Sequence, residues 1–180
     1  MNLKDILIEN LLKEFGKGDA YDYTISATGK NCEMYSIYKF VTDGKETDGT
    51  KYNFNVMIDY IDKSNYQEGS GVDIGFTTNE KEMRTLNVGL KELIKIMSTV
   101  SKIVINHIIE CREEGVVTDY IQFFPVKDAK ETSKYGMDSV SVREKIYRRV
   151  ILQYLPSAKF KKSGLNVIAT FDPKDLKHKV

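Results

Sequence analysis

Tryptophan is absent from this chain, proline occurs three times, and cysteine and histidine occur twice each. With so few prolines, each one is expected to mark the end of an element. Cys32 and Cys111 form neither a close pair nor a metal spacing. The favoured reading is a half-buried strand thiol and a helix thiol in a reducing compartment, with a disulfide between them left open. No apolar run approaches the roughly 18 residues of a membrane span. Met1-Asn2-Leu3-Lys4-Asp5 places an acid in the first helix-like stretch and does not fit a secretory signal, so no membrane partner is expected. The expected location is the cytoplasm. No charge of one sign dominates either: 27 basic against 26 acidic side chains leave a net +1, so an electrostatic argument must be local.

What is present suits one domain, read over residues 1–180. Residues 1–18 carry an N-terminal helix (3–15, with Leu3, Ile6, Leu7, Leu11 and Phe15 at helical spacing). Residues 19–78 read as a β-meander. Tyr21, Tyr23, Ile25 and Ala27 alternate in its first strand, residues 33–41 form the second, and Tyr52 to Tyr60 alternate most cleanly in the third. Val72, Ile74 and Phe76 mark the fourth. Two polar loops, around 42–50 and 62–71, separate these strands.

Residues 79–172 read as helix, strand, helix, strand. The long helix starts near Asn87, carries Leu90, Leu93, Ile94, Met97, Val100 and Val104 on one stripe, and ends at Glu113-Glu114-Gly115. Val117 to Phe124 is a β-prone run closed by Pro125, and a polar loop follows over 126–138. Ser141 and Glu144 fit a capping box opening the last helix, which Pro156 stops. Leu165, Val167, Ala169 and Phe171 alternate in a final strand, Pro173 ends it, and 173–180 is a tail. The expected fold is α+β: a mixed, mainly antiparallel twisted sheet of about six strands in the order α-β-β-β-β-α-β-α-β, with helices packed on it. Because the last two strands each follow a helix, parallel pairing is open to both.

This order resembles that of GNAT-type N-acetyltransferases over roughly residues 50–172. Tyr120-Ile121-Gln122-Phe123-Phe124, a polar loop, and the helix opened by Arg143-Glu144-Lys145-Ile146-Tyr147 resemble that family's strand, loop and A-x-x-x-Y helix. The resemblance implies that Tyr147 protonates a departing coenzyme A thiolate. It implies Asp73 as a carboxylate base and Arg84, Asn87 and Gly89 as cofactor-binding positions. The family's R/Q-x-x-G-x-G/A loop is matched here by Arg84-Thr85-Leu86-Asn87-Val88-Gly89, where Asn87 replaces the first glycine. A side chain there opposes the close approach of a phosphate. The helix Ser141-Val142-Arg143-Glu144-Lys145-Ile146-Tyr147-Arg148-Arg149 also resembles an S-x-R-x-x-x-Y-x-R helix of small tailed-bacteriophage proteins, which implies a viral context and no particular chemistry.

Each candidate has a plainer reading. Tyr147 on a packed helix is more often core than acid. Arg84 is one arginine among many, and Asp73 is a strand residue facing solvent. His107 lies off the apolar stripe with Cys111 four residues on, two groups that no further ligand joins, so no metal is expected. His178 lies in the polar tail. No nucleophile elbow or P-loop is present. The strongest local signal is basic. Arg143, Lys145, Arg148, Arg149, Lys159, Lys161 and Lys162 stand against the single acid Glu144. Such a stripe is a solvated face, a surface for a protein partner, or a phosphate contact on nucleic acid. The leading expectation is a non-enzymatic phage structural or interaction protein, a virion or assembly component with protein partners or self-association and no cofactor. The alternatives are an acetyltransferase using acetyl coenzyme A and a nucleic-acid-binding module.

Overall fold

The computed structural model describes residues 10, 20–28, 35–44, 49–62, 69–78, 88–125 and 140–177. The helix read over 3–15, the 126–138 loop, Arg84, Asn87, Cys32 and His178 lie outside these residues, Asn10 alone excepted. The described chain is α+β. Strands β1 (Tyr23–Thr28), β2 (Ser36–Val41), β3 (Asn53–Ile61) and β4 (Gly71–Thr78) are followed by helix α1 (Leu90–Glu113), strand β5 (Tyr120–Phe123), helix α2 (Val142–Tyr154) and strands β6 (Lys159–Ser163) and β7 (Asn166–Thr170). One open sheet of seven strands has the order β1-β2-β3-β4-β5-β7-β6.

The meander forms as its alternation predicts, each of β1 to β4 pairing antiparallel with the next. Apolar residues at every second position give one face to bury, and a one-residue slip would expose them all. Tyr38, Phe40, Phe54, Val56 and Ile58 share that face and are buried. Phe40 stacks on Phe54 at 4.8 Å and on Tyr21 at 5.9 Å between ring centroids. After α1 the chain returns as β5, which pairs parallel to β4, Gly71 to Ile74 against Tyr120 to Phe123. The described residues add one strand to the expected six or so, and of the two strands for which parallel pairing was open, β5 takes it with β4 while the last pairs antiparallel with β5. Both differences have one cause, β6, which the lysines of Lys159-Phe160-Lys161-Lys162 hid because lysine is a poor strand former. A two-residue turn led by Gly164, at φ 59°, folds β6 back onto β7, and this reverses the direction of β7.

Helix α1 is rich in β-branched residues, whose helix propensity is low. Burial compensates, since Ile94, Ile96, Met97, Ile103, Val104 and Ile108 are each at most 2 % exposed. The buried set includes Glu92, Ser98, Thr99, Ser101, Asn106 and His107, so the helix is enclosed well beyond one stripe. It ends where Glu113-Glu114-Gly115 predicts. Gly115 sits at φ 90°, its amide bonds Arg112 O at 3.0 Å and the Val116 amide bonds Cys111 O at 2.9 Å, the paired closure that needs a left-handed residue. Gly71 is needed for a different reason: a Cβ there would lie 2.4 Å from the Tyr120 ring, which crosses over it.

Candidate functional site

The parallel ladder between β4 and β5 is short. Its last pair is Ile74 with Phe123, while β4 runs on to Thr78. The chain after Phe123 is Phe124-Pro125, and proline has no amide to continue a ladder. A cavity of about 20 Å³ opens where the two strands part. Ile74 and Phe76 from β4, Ile121 and Phe123 from β5, Val100, Ser101 and Val104 from α1, and Tyr147 from α2 line it, with the half-exposed Phe124 at its edge. That volume admits about one water-sized group. The crevice lies at the carboxyl ends of the sheet's parallel pair, the place where open α/β sheets hold their ligands.

Tyr147 reaches this crevice because α2 begins at a defined residue. The Ser141 hydroxyl accepts the Glu144 amide at 2.9 Å, as half of the predicted capping box. Three residues later in the helix the Tyr147 ring packs against Phe123 at 5.1 Å and Phe76 at 6.0 Å. Burial pushes its hydroxyl pKa far up, with nearby Arg143 opposing the shift. The phenol therefore holds its proton at neutral pH. Gly89 caps α1 in an extended conformation with no side-chain cap, and its carbonyl accepts the Leu93 amide.

Asp73 is not part of this arrangement. It alternates with Ile74 on β4, so it lies on the opposite face of the sheet from Tyr147. There it stands opposite Asp59 and accepts a hydrogen bond from Gln122 Nε2 at 3.3 Å. It is half-buried rather than fully in solvent. Burial first and the Asp59 charge second raise its pKa, against the Gln122 bond.

The basic residues do not form one face. Glu144, its side chain only 2 % exposed, takes Arg148 Nη2 at 2.6 Å and Lys162 Nζ at 3.6 Å. It turns to these cations instead of closing the second half of the capping box. The Arg148 guanidinium also lies 5.1 Å from the centre of the Phe160 ring, a cation–π contact. Lys162 shares the helix-covered face with Phe160, while Lys159 and Lys161 alternate onto the other face of β6. Arg143 and Arg149 are half-buried on α2 and each is engaged in an interaction.

Residue-type spacing did not reveal two polar clusters on α1. Tyr21 Oη donates to Glu92 Oε1 at 2.7 Å, and Lys95 bonds Asp43 at 3.3 Å while lying 4.2 Å from the centre of the Tyr21 ring. This fastens the end of β2 to the start of the helix. Farther along, Asn106 Nδ2 donates to Tyr23 Oη at 2.8 Å, and Tyr38 Oη lies 2.9 Å from His107 Nδ1. Burial raises the Tyr38 pKa and lowers that of His107, so the phenol donates and the imidazole accepts. His107 Nε2 then faces Cys111 Sγ at 3.4 Å. His107 is a satisfied core residue, as the plainer reading has it. Cys111 is disulfide-bonded, which corrects the reading of it as a helix thiol. Separation along the chain does not report approach in space. Among the described residues no three His, Cys, Asp or Glu side chains converge on a possible metal position, and no helix is long and apolar enough to cross a membrane.

No family model, curated protein or solved structure matches this chain.

Proposed function

We propose that the chain binds an acyl thioester of the coenzyme A type at the β4–β5 crevice and transfers its acyl group to an amine, the activity implied by the resemblance to GNAT-type N-acetyltransferases. One observation carries this reading: the one parallel strand pair among the described residues parts at Ile74 and Phe123, and Tyr147 lines the crevice that opens there. The lining fits the reacting end of an apolar arm, with room for a group of methyl size. Ile74, Phe76 and Phe123 would flank that end, and the uncapped start of α1 at Gly89 offers backbone amides to an anion. Arg84 and Asn87 remain candidates through the resemblance alone.

The bound thioester supplies an activated acyl carbon. Tyr147 keeps its proton because it is buried, and gives it to the leaving sulfur as the carbon–sulfur bond breaks. The amine nitrogen forms the new bond and loses its proton to water. Asp73 has no role in this scheme, since the sheet separates it from Tyr147.

The test is thermal unfolding with millimolar acetyl coenzyme A. Saturation at about 100 times the dissociation constant stabilises by roughly 2.7 kcal/mol, which is several degrees for a domain of this size. Tyr147→Phe should keep that shift and lose turnover. Absence of any shift in the wild type would end this reading. It would favour the second one, a non-enzymatic interaction protein, possessing an exposed sheet edge at β6 for a partner. A nucleic-acid role is supported least, because Glu144 already holds two of the cations it would use.

A further inference from the structure

The far half of α1 carries a polar relay that the crevice does not use. Tyr38 on β2, His107 and Cys111 are all buried, none more than 4 % exposed. Tyr38 Oη donates to His107 Nδ1 at 2.9 Å. A neutral imidazole carries one N–H, so this bond leaves the ring hydrogen on Nε2. Burial keeps the ring neutral by lowering its pKa. Nε2 lies 3.4 Å from Cys111 Sγ, within reach of an N–H···S hydrogen bond, while Nδ1 lies farther off at 3.9 Å. The donor therefore faces a sulfur of a disulfide. Such a sulfur is a weak acceptor, and the contact does little for the resting fold. A thiolate in its place would be a strong one. Apolar side chains at 38 and 107 would fill the same space with no buried polar group to satisfy.

We propose that the Cys111 disulfide is a thiol-exchange site, opened by a dithiol reductant, with His107 donating from Nε2 to the sulfur that leaves. This is independent of the acyl-thioester reading, because Tyr38, His107 and Cys111 do not line the crevice. Cys111 is too buried to be the sulfur that a dissolved thiol attacks. The reductant's thiolate bonds instead to the sulfur joined to Cys111, the disulfide bond breaks, and its electron pair leaves on Cys111 Sγ. A hydrogen-bond donor at that sulfur favours its charged form, and a leaving thiol of lower pKa departs faster. The Cys111 thiolate then takes a proton from water. The second thiol of the reductant resolves the mixed disulfide, so the reductant ends as its own disulfide and both protein sulfurs end as thiols. The competing account is a sealed staple, with His107 serving only to fill the core.

The experiment follows reduction of the full chain by dithiothreitol at fixed pH, quenched by alkylation and read by mass spectrometry, in the wild type, His107→Leu and His107→Gln. Cys32 is the only other cysteine in the chain, so the two states differ by two alkyl groups. Loss of a hydrogen bond to a developing thiolate should slow His107→Leu by about tenfold. His107→Gln keeps a side-chain N–H and should recover most of the rate. A variant that merely loosens the fold would expose the bond and be reduced faster, so slower reduction cannot come from instability. Equal or faster reduction in His107→Leu would overturn the proposal. So would a His107→Gln as slow as His107→Leu, because the N–H would then not set the rate. A wild-type rate that stops rising with dithiothreitol would mean that unfolding limits it and the bond is a sealed staple. Wild type purified without reductant that alkylates at both cysteines would overturn the proposal as well.

Discussion

Replacing Glu144 with glutamine tests what the basic segment is for. The substitution keeps the shape of the side chain and the Ser141 cap, which uses the Glu144 backbone amide. It removes the one negative charge between Arg148 and Lys162. Stranding a fully buried ion costs about 3–5 kcal/mol. Here the cations reach water, with Arg148 29 % and Lys162 39 % exposed, so the loss is smaller. A charged hydrogen bond as short as the Arg148 contact is worth roughly 1.5–3 kcal/mol. The longer Lys162 contact resembles a surface pair, worth about 0–1 kcal/mol. The expected cost is therefore about 2 kcal/mol, and at about 2–4 °C per kcal/mol the midpoint drops by roughly 4–8 °C. A double-mutant cycle read by urea unfolding separates the contacts, and Glu144 should couple to Arg148 more strongly than to Lys162. If Glu144→Gln melts with the wild type, or if the Arg148 coupling is below about 0.5 kcal/mol, Glu144 does not organise the segment. The seven bases would then be better read as a surface open to phosphates.

The other predictions are simpler. Gly71→Ala drives a Cβ to 2.4 Å from the Tyr120 ring, and such overpacking typically costs about 1–3 kcal/mol, measurable as a lowered urea midpoint. An unchanged midpoint would show that the ring moves aside freely. Burial lowers the His107 pKa from its ordinary 6.5. Above that value the imidazole is neutral in both states. Below it the unfolded chain takes up a proton that the fold resists, so stability falls as pH drops from 6.5 toward the lower native value, by at most about 1.4 kcal/mol per unit. His107→Gln should flatten that part of the profile, and a profile identical to the wild type would remove His107 as its source. On β6, Lys159→Thr combined with Lys161→Thr removes charge from an exposed edge strand, so sedimentation should show association that grows with concentration. A monomer at every concentration would mean that these lysines do not guard the edge.

Several parts of the fold were legible because a local rule dictates them. The alternation from Tyr52 to Tyr60 places β3 and decides which face is buried. Glu113-Glu114-Gly115 ends α1, because a left-handed residue is needed there. Ser141 starts α2 through its own hydroxyl. Strand β6 was not legible, since an edge strand buries little and its lysines carry no strand signal. Its loss also hid the direction of β7. Within the candidate site, Tyr147 was named from its sequence context, whereas the walls around it come from β4, β5 and α1, which no local pattern brings together.

The sequence alone therefore determined the types and most of the boundaries of the elements other than β6, the buried faces of β2 and β3, the end of α1 and the start of α2, because all of these follow from interactions within a few residues. The tertiary structure decided which strands neighbour each other, and with that everything that depends on two distant segments meeting. It opened the crevice at the parting of β4 and β5, and it put Asp73 behind the sheet from Tyr147. It also turned a run of bases into a network around one buried acid. The physical reason is the same in each case. Contacts between segments far apart in the chain are set by packing and register over the whole sheet, and no local pattern records them.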